Sequence, residues 1–323
     1  MKVTTWGTRG STAVAGPLFV KYGGNTTSLE IRSSCLPPKT ALIIDAGTGI
    51  VPLTENLIKE KIEKIILLFT HFHHDHTQGL LMAPTTFIKD IQIHAYGPVD
   101  NGYDARGIME IIMKPPFFPV DFKEVGSHFH FISHRLEHPS AMVMIIHPKS
   151  GLKVMNLDQF ERLTNSNRQI PFDGKSYGVE ECLVIKMYRS NHPERTISYR
   201  FEERPTNKVF CFLTDHENTD ALPQALKRHL HNADLLIQDS QYSRKMYDMT
   251  AGWGHGTPDY CAKIAVEVGA KKLGLTHHDP NSSDEDIDKI VMEAEKAKEK
   301  AQPKHIAYFM QIFACRDYQE TEI

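Results

Sequence analysis

The sequence predicts an α/β fold, a sandwich of sheets with helices outside, and three observations carry that expectation. Short apolar runs of strand length recur along the chain, and amphipathic helical stripes follow them. Strands dominate early in each half, with helices after, which suits layered sheets covered by helices. Hydrophobic residues make up 41% and charged residues 24% of the 323 positions, a globular balance that excludes collagenous, fibrous and disordered classes. No linker or repeat breaks the pattern, so one domain over 1–323 is expected, with a β-rich insertion at about 117–205.

The elements follow in order. Residues 2–6 alternate like a strand, 28–31 and 40–44 give two more, and Gly23-Gly24-Asn25 marks a turn before them. Residues 53–61 suit a short helix. The apolar runs 64–69 and 91–96 have strand length. Residues 104–113 suit a helix that stops before Pro115-Pro116, which cannot continue it. Four strand-like runs then occupy 129–132, 141–146, 181–188 and 196–201. Strand–helix units return with strand 208–213, helix 220–231 and strand 234–237. Thr257 can cap a helix with Pro258 at its first position and Gly269 at its end. After strand 271–276, Ser282 and Glu285 suggest a capping box, and Ile287, Ile290, Val291 and Ala294 form one apolar stripe.

Several function classes are disfavoured. No apolar stretch approaches the roughly 20 residues of a membrane span. A net charge of −3 offers no broad attraction to nucleic acid. The first residues lack a basic-then-apolar leader pattern. The cysteines Cys35, Cys182, Cys211, Cys261 and Cys315 are odd in number and scattered, which suits reduced thiols in the cytoplasm.

The histidines, 18 in all, point to chemistry by their placement. Thr70-His71-Phe72-His73-His74-Asp75-His76 follows directly on the apolar strand 64–69. In an extended loop residues two apart point the same way, so His71 and His73 can converge on one ion while Asp75 and His76 face a second. Imidazole suits zinc, and carboxylate suits harder ions such as manganese. His192, Asp215, Asp239 and the pair His277-His278 each follow a later strand-like run, and strand ends are where an open sheet presents its ligands. Any one of them alone could be a cap or a surface group. Together they suggest one rim.

The pattern His71-x-His73-x-Asp75-His76, then His192, Asp215 and His277, resembles the metallo-β-lactamase-fold hydrolases. Gly7-Thr8-Arg9-Gly10-Ser11, Tyr22-Gly23-Gly24-Asn25-Thr26 and Asp45-Ala46-Gly47-Thr48-Gly49 are similar to that family's N-terminal turns. The resemblance implies an αββα sandwich with two divalent ions at one edge, zinc foremost, with manganese or iron as alternatives. His71, His73 and His192 would hold one ion; Asp75, His76 and His277 the other; Asp215 would bridge them. His278 competes with His277, which is preferred because Leu275-Thr276-His277 looks like the ribonuclease Z branch. Asp45 would support the metal loop and His74 would sit at the rim.

Trp253-Gly254-His255-Gly256-Thr257 resembles the helper-histidine motif of ribonuclease Z and of phosphonate-pathway cyclic phosphodiesterases, although a histidine between two glycines could also simply fill a turn. Asp239 stands where that branch carries an acidic residue orienting the helper. The implied activity is hydrolysis of a small or cyclic phosphodiester. On that resemblance the two ions would supply a hydroxide for attack on phosphorus, Asp75 would accept a hydrogen bond from it, and His255, oriented by Asp239, would protonate the leaving oxygen. The alternatives are a thioester or ester hydrolase of the glyoxalase II type and a ribonuclease Z-like RNA endonuclease. RNA is disfavoured because no long Gly/Pro-rich gripping arm is evident. Arg9 could contact phosphate, and the stretch 100–205 could serve as a lid or a homodimer surface.

Overall fold

The computed structural model describes residues 1–132, 136–302 and 309–323. Its strands in chain order are β1 Lys2–Gly7, β2 Ser28–Arg32, β3 Thr40–Ile44, β4 Lys64–Leu68, β5 Gln92–Tyr96, β6 Phe129–Phe131, β7 Met142–His147, β8 Gly151–Asn156, β9 Ile170–Phe172, β10 Lys175–Tyr177, β11 Leu183–Arg189, β12 Ile197–Glu203, β13 Lys208–Leu213, β14 Leu235–Asp239, β15 Lys272–Thr276, β16 Gln311–Ala314 and β17 Gln319–Glu322. A seven-stranded sheet runs β17-β1-β2-β3-β4-β5-β6, and an eight-stranded sheet runs β16-β15-β14-β13-β12-β11-β7-β8.

Side-chain alternation sorts the residues into layers. Leu42 and Ile44 of β3 join Ile66 and Leu68 of β4 in a cluster with Ile185, Tyr199, Phe201, Phe212 and Ile237 of the other sheet. The intervening Ala41 and Ile43 instead pack outward with Leu53 and Leu57, on the helix Ile50–Lys59. The second sheet repeats this arrangement. Leu236, Leu273 and Leu275 face outward onto the helices Gln224–Leu230, Pro258–Val268 and Asp284–Ala301. Near-continuous apolar runs such as Lys64–Leu68 are therefore strands covered on both faces. The result is the expected αββα sandwich. The stretch 117–205 is built into both sheets. It supplies β6 to the first and β7, β8, β11 and β12 to the second, while β9 and β10 form a separate hairpin; residues 133–135 within it lie outside the described residues.

Strand direction places the site. β3, β4 and β5 run parallel, as do β13, β14 and β15. β11 and β13 are both antiparallel to β12, so they point the same way. The C-terminal ends of β11, β13, β14 and β15 thus share one edge. Ile197 N–H donates to Thr70 O at 2.8 Å and the Tyr199 hydroxyl to Phe69 O at 2.7 Å, which ties the end of β4 to that edge.

Local expectations differ from the structure in a few places. The capping box sits one residue later, on Ser283 and Asp286, because the Ser282 carbonyl is taken by Arg9 Nη1 at 2.7 Å. The helix expected over 220–231 is only Gln224–Leu230, preceded by Pro223. β8, β16 and β17 carry too little apolar alternation to be read locally. After the helix stop at Pro115-Pro116, Phe117 is 80% exposed, while Phe118 packs against the outer helical layer.

Candidate metal centre

The rim is made of strand ends that turn sharply. Asp45 after β3, Asp215 after β13 and His277 after β15 have φ of 58°, 46° and 60°. That left-handed conformation is rare for residues other than glycine and gathers at functional sites. It swings each side chain away from the strand's alternation and toward the space between the sheets.

Asp45, Asp75, His76, Asp215 and His277 form one buried group. His76 Nδ1 donates to Asp45 Oδ2 at 2.8 Å, and Asp45 also accepts from Thr70 N and Thr70 Oγ1, both at 2.7 Å. His277 Nδ1 donates to Gln241 Oε1 at 2.8 Å. With each Nδ1 carrying the proton, both Nε2 atoms present lone pairs. Those lone pairs nevertheless face each other at 3.2 Å, and both face acceptor oxygens. His76 Nε2 lies 3.2 Å from Asp75 Oδ2 and 3.3 Å from Asp215 Oδ1; His277 Nε2 lies 3.0 and 3.5 Å from the same atoms. Donors about 2.0–2.2 Å from a tetrahedral cation are themselves about 3.3–3.6 Å apart. The spacing fits a divalent cation.

A second group joins His71, His73, His192 and Asp215. His71 Nδ1 is held by Thr70 Oγ1 at 3.1 Å, and His192 Nδ1 donates to Gly254 O at 3.0 Å. Their Nε2 atoms and Asp215 Oδ2 are buried without a hydrogen-bond partner. Orphaned acceptors converging this closely cost free energy unless something cationic sits among them. Asp215 links the groups through its two oxygens: Oδ1 faces His76 and His277, while Oδ2 lies 3.5 Å from His71 Nε2. His73 is partly exposed, and its Nε2 lies 3.0 Å from Glu194 Oε2.

Electrostatics follow from this packing. Burial, together with the neighbouring His76, pushes His71 well below the ordinary imidazole range. Burial alone would raise the Asp75 and Asp215 carboxyls, but the surrounding imidazoles hold both well below their ordinary range. Burial opposes charge on His76, but Asp75, Asp215 and Asp45 outweigh it and hold that ring well above the ordinary imidazole range, so a cation bound there would displace its proton.

His255 stands beside the centre, its ring stacked 5.0 Å from that of His277. Its Nδ1 is 2.9 Å from Asp239 Oδ2 and 3.8 Å from Asp215 Oδ2. Burial opposes its charge, yet the two aspartates outweigh burial and push it up to about 9. Asp239 is itself gripped by the backbone N–H of Gln241 at 3.0 Å and of His216 at 3.4 Å.

Every residue expected at the site thus lies at this rim: His71, His73, Asp75, His76, His192, Asp215, Asp239, His255 and His277. His278 points elsewhere, with its Nε2 on Cys315 O at 2.8 Å, and His74 is exposed. Arg9 does not reach the site. It is buried, and its Nε and Nη1 donate to the carbonyls of Gly23, Asp279 and Ser282. The sequence reading missed Gln241, which orients His277, and Ser11, whose N–H donates to Asp75 Oδ2 at 2.8 Å. It also missed Glu217, which accepts from Gly254 N at 2.6 Å. Gln241 and Glu217 carry no motif signal of their own, and Ser11 lies in the turn at 7–11, where its contact with Asp75 could not be read from the sequence.

Residues 40–278 match the family described as the Beta-lactamase superfamily domain. The chain is 26% identical over 240 residues to a ribonuclease Z of Brevibacillus brevis, covering 71% of each chain. Among solved structures, the metallo-beta-lactamase fold protein YhfI from Bacillus subtilis is similar at a TM-score of 0.61 and 17% identity, covering 99% of this chain and 98% of that one. The short form of human tRNase Z is similar at a TM-score of 0.58 and 19% identity, covering 100% and 99%. With strand ends from both sheets meeting in one His/Asp rim, and the family match spanning most of its length, this chain belongs to the beta-lactamase superfamily and has the metallo-β-lactamase fold.

Proposed function

We propose that the protein is a metal-dependent phosphodiesterase that hydrolyses a small or cyclic phosphodiester, with two divalent cations at the rim, zinc first and manganese or iron as alternatives. One observation carries this reading: Asp215 offers one oxygen to each of two donor groups, and a carboxylate-oriented imidazole stands beside them. His71, His73 and His192 would hold one cation, Asp75, His76 and His277 the other, and Asp215 both. Bound there, the cations supply Lewis acidity at the phosphoryl oxygens and make water more acidic.

The chain's own residues do the rest. Asp45, Thr70, Gln241 and Gly254 fix the ring tautomers, so each Nε2 is aimed before anything binds. Asp75 Oδ2 and Asp215 can accept hydrogen bonds from an attacking water. His255 has committed Nδ1 to Asp239, which leaves Nε2 to deliver a proton to the departing oxygen. Its raised pKa keeps it charged near neutrality. The curated relatives are ribonucleases, which cleave phosphodiester bonds, and this supports the bond class. It also supports a second reading, an RNA endonuclease. The free, buried cysteines support a cytoplasmic setting, and the core cluster shared by both sheets supports one domain.

Elemental analysis of the purified protein, with a panel of bis(p-nitrophenyl) phosphate, cyclic nucleotides, a precursor tRNA and a glutathione thioester, tests the proposal. Metal at two ions per chain with turnover of the small diesters is expected. Preference for the tRNA would favour the endonuclease, and turnover of the thioester alone would overturn the phosphodiesterase reading. His71→Ala should lose metal and activity together.

A further inference from the structure

We propose that Glu194 is a further ligand of the cation site built by His71, His73, His192 and Asp215, closing its solvent side. The inference rests on the metal-centre reading above and adds a residue that no motif marks. Glu194 Oε2 lies 3.0 Å from His73 Nε2 and 3.4 Å from His192 Nε2. The bridging Asp215 is no closer to its own histidine here, at 3.5 Å from His71 Nε2.

The contact with His192 is the informative one. His192 gives its Nδ1 proton to Gly254 O, so its Nε2 presents a lone pair, and that atom is buried without a hydrogen-bond partner. A lone pair and a carboxylate oxygen 3.4 Å apart repel each other, unless a cation sits between them and converts both into donors. These are the separations that adjacent ligands of one ion adopt when bonds are about 2.0–2.2 Å.

The position is also built. Glu194 follows His192 by two residues in the connection from β11 to β12, which Ser190 N→Thr196 O closes at 2.9 Å. The next residue, Arg195, is anchored on both sides of its Cα: its N–H donates to Asp100 Oδ2 at 3.3 Å, and its Nη1 to Val99 O at 3.2 Å and Glu137 O at 3.4 Å. The backbone carrying Glu194 is therefore held between an anchored histidine and an anchored arginine. Its side chain keeps 40% exposure, facing the opening. With Glu194 the site has three imidazoles and two carboxylates, a mixed nitrogen and oxygen donor set suited to manganese or iron as well as zinc.

Co²⁺ serves as the probe. The full chain, stripped of metal, is titrated with Co²⁺ against a competing chelator while the visible d–d bands are recorded, for the wild type, Glu194→Ala and Glu194→Asp. Wild type should bind two ions. In Glu194→Ala one of the two affinities should fall by roughly 10–100-fold, the scale seen when support is taken from a metal site. The bands of that ion should intensify as its coordination number drops, and Glu194→Asp should recover part of both. Unchanged affinities and bands in Glu194→Ala would overturn the proposal and leave Glu194 as an ion-pair partner of His73. No Co²⁺ uptake by wild type would instead overturn the metal-centre reading, and this proposal with it. Because Glu194 is a half-exposed loop residue, thermal unfolding of each variant should stay near wild type, so a loss of metal cannot be mistaken for a loss of fold.

Discussion

At the residue scale, orientation matters as much as identity. Each imidazole at the rim except the exposed His73 has its Nδ1 fixed by a named partner, so the chemistry depends on residues that never meet substrate. His255 separates proton delivery from metal binding. His255→Ala should keep both metals yet lower turnover by about 10²–10⁴-fold, the usual scale for a general acid. The loss should be larger for diesters with an alkyl leaving group than for p-nitrophenyl diesters, whose anion departs without a proton. An equal loss across that series would remove His255 from the acid role. Gly254 tests the frame. Its φ is 92°, and a Cβ there would lie 2.0 Å from His192 Nδ1. Gly254→Ala should displace the His192 ring, with roughly tenfold or greater weakening of metal binding; full metal retention would show that the loop adapts.

At the element scale, the rim exists because parallel strands of two different sheets end on the same side. The join between them is narrow: Ile197 N and the Tyr199 hydroxyl bond the backbone at the end of β4, just before His71. Tyr199 is fully buried, so removing its hydroxyl leaves the Phe69 carbonyl short of a partner. Tyr199→Phe should cost about 1–3 kcal/mol in chemical denaturation. It should also reduce metal affinity, since the His71 loop hangs from that carbonyl. A stability loss with unchanged metal affinity would mean that β4 holds the loop without help. The strands themselves were legible from alternation and apolar runs, as at Thr40–Ile44 and Lys64–Leu68. The edge strand Gln319–Glu322 was not, because its residues are exposed or half-buried and owe their conformation to pairing with β1 rather than to their own pattern.

At the scale of the whole molecule, buried neutral histidines tie stability to pH. Burial, assisted by nearby Arg200, holds His229 down at about 3, and its Nε2 pairs with Ser198 Oγ at 3.1 Å, inside the second sheet's outer layer. Its unfolded value is near 6.5. The folded form is the one with the depressed pKa, so the stability it contributes is complete above pH 6.5 and lost as pH falls toward 3. His216, held at about 4 chiefly by burial, acts in the same direction. Urea unfolding should show stability falling from pH 6.5 to 4, and His229→Gln, which keeps a donor for Ser198, should flatten that limb; an unchanged slope would exclude His229 as a source. The sequence by itself determined the layer pattern, the chain order of the donors and their placement after strands, because periodicity and turn chemistry act over a few residues. The resemblance preferred His277 and expected a bridging Asp215; only the tertiary structure turns His278 away onto Cys315, aims the two Asp215 oxygens at different groups, and brings Gln241 and Glu194 beside the imidazoles. Those choices rest on contacts such as His76 Nε2 to His277 Nε2, made across 201 positions. Backbone twist and register of two whole sheets set such contacts, and no local pattern encodes them.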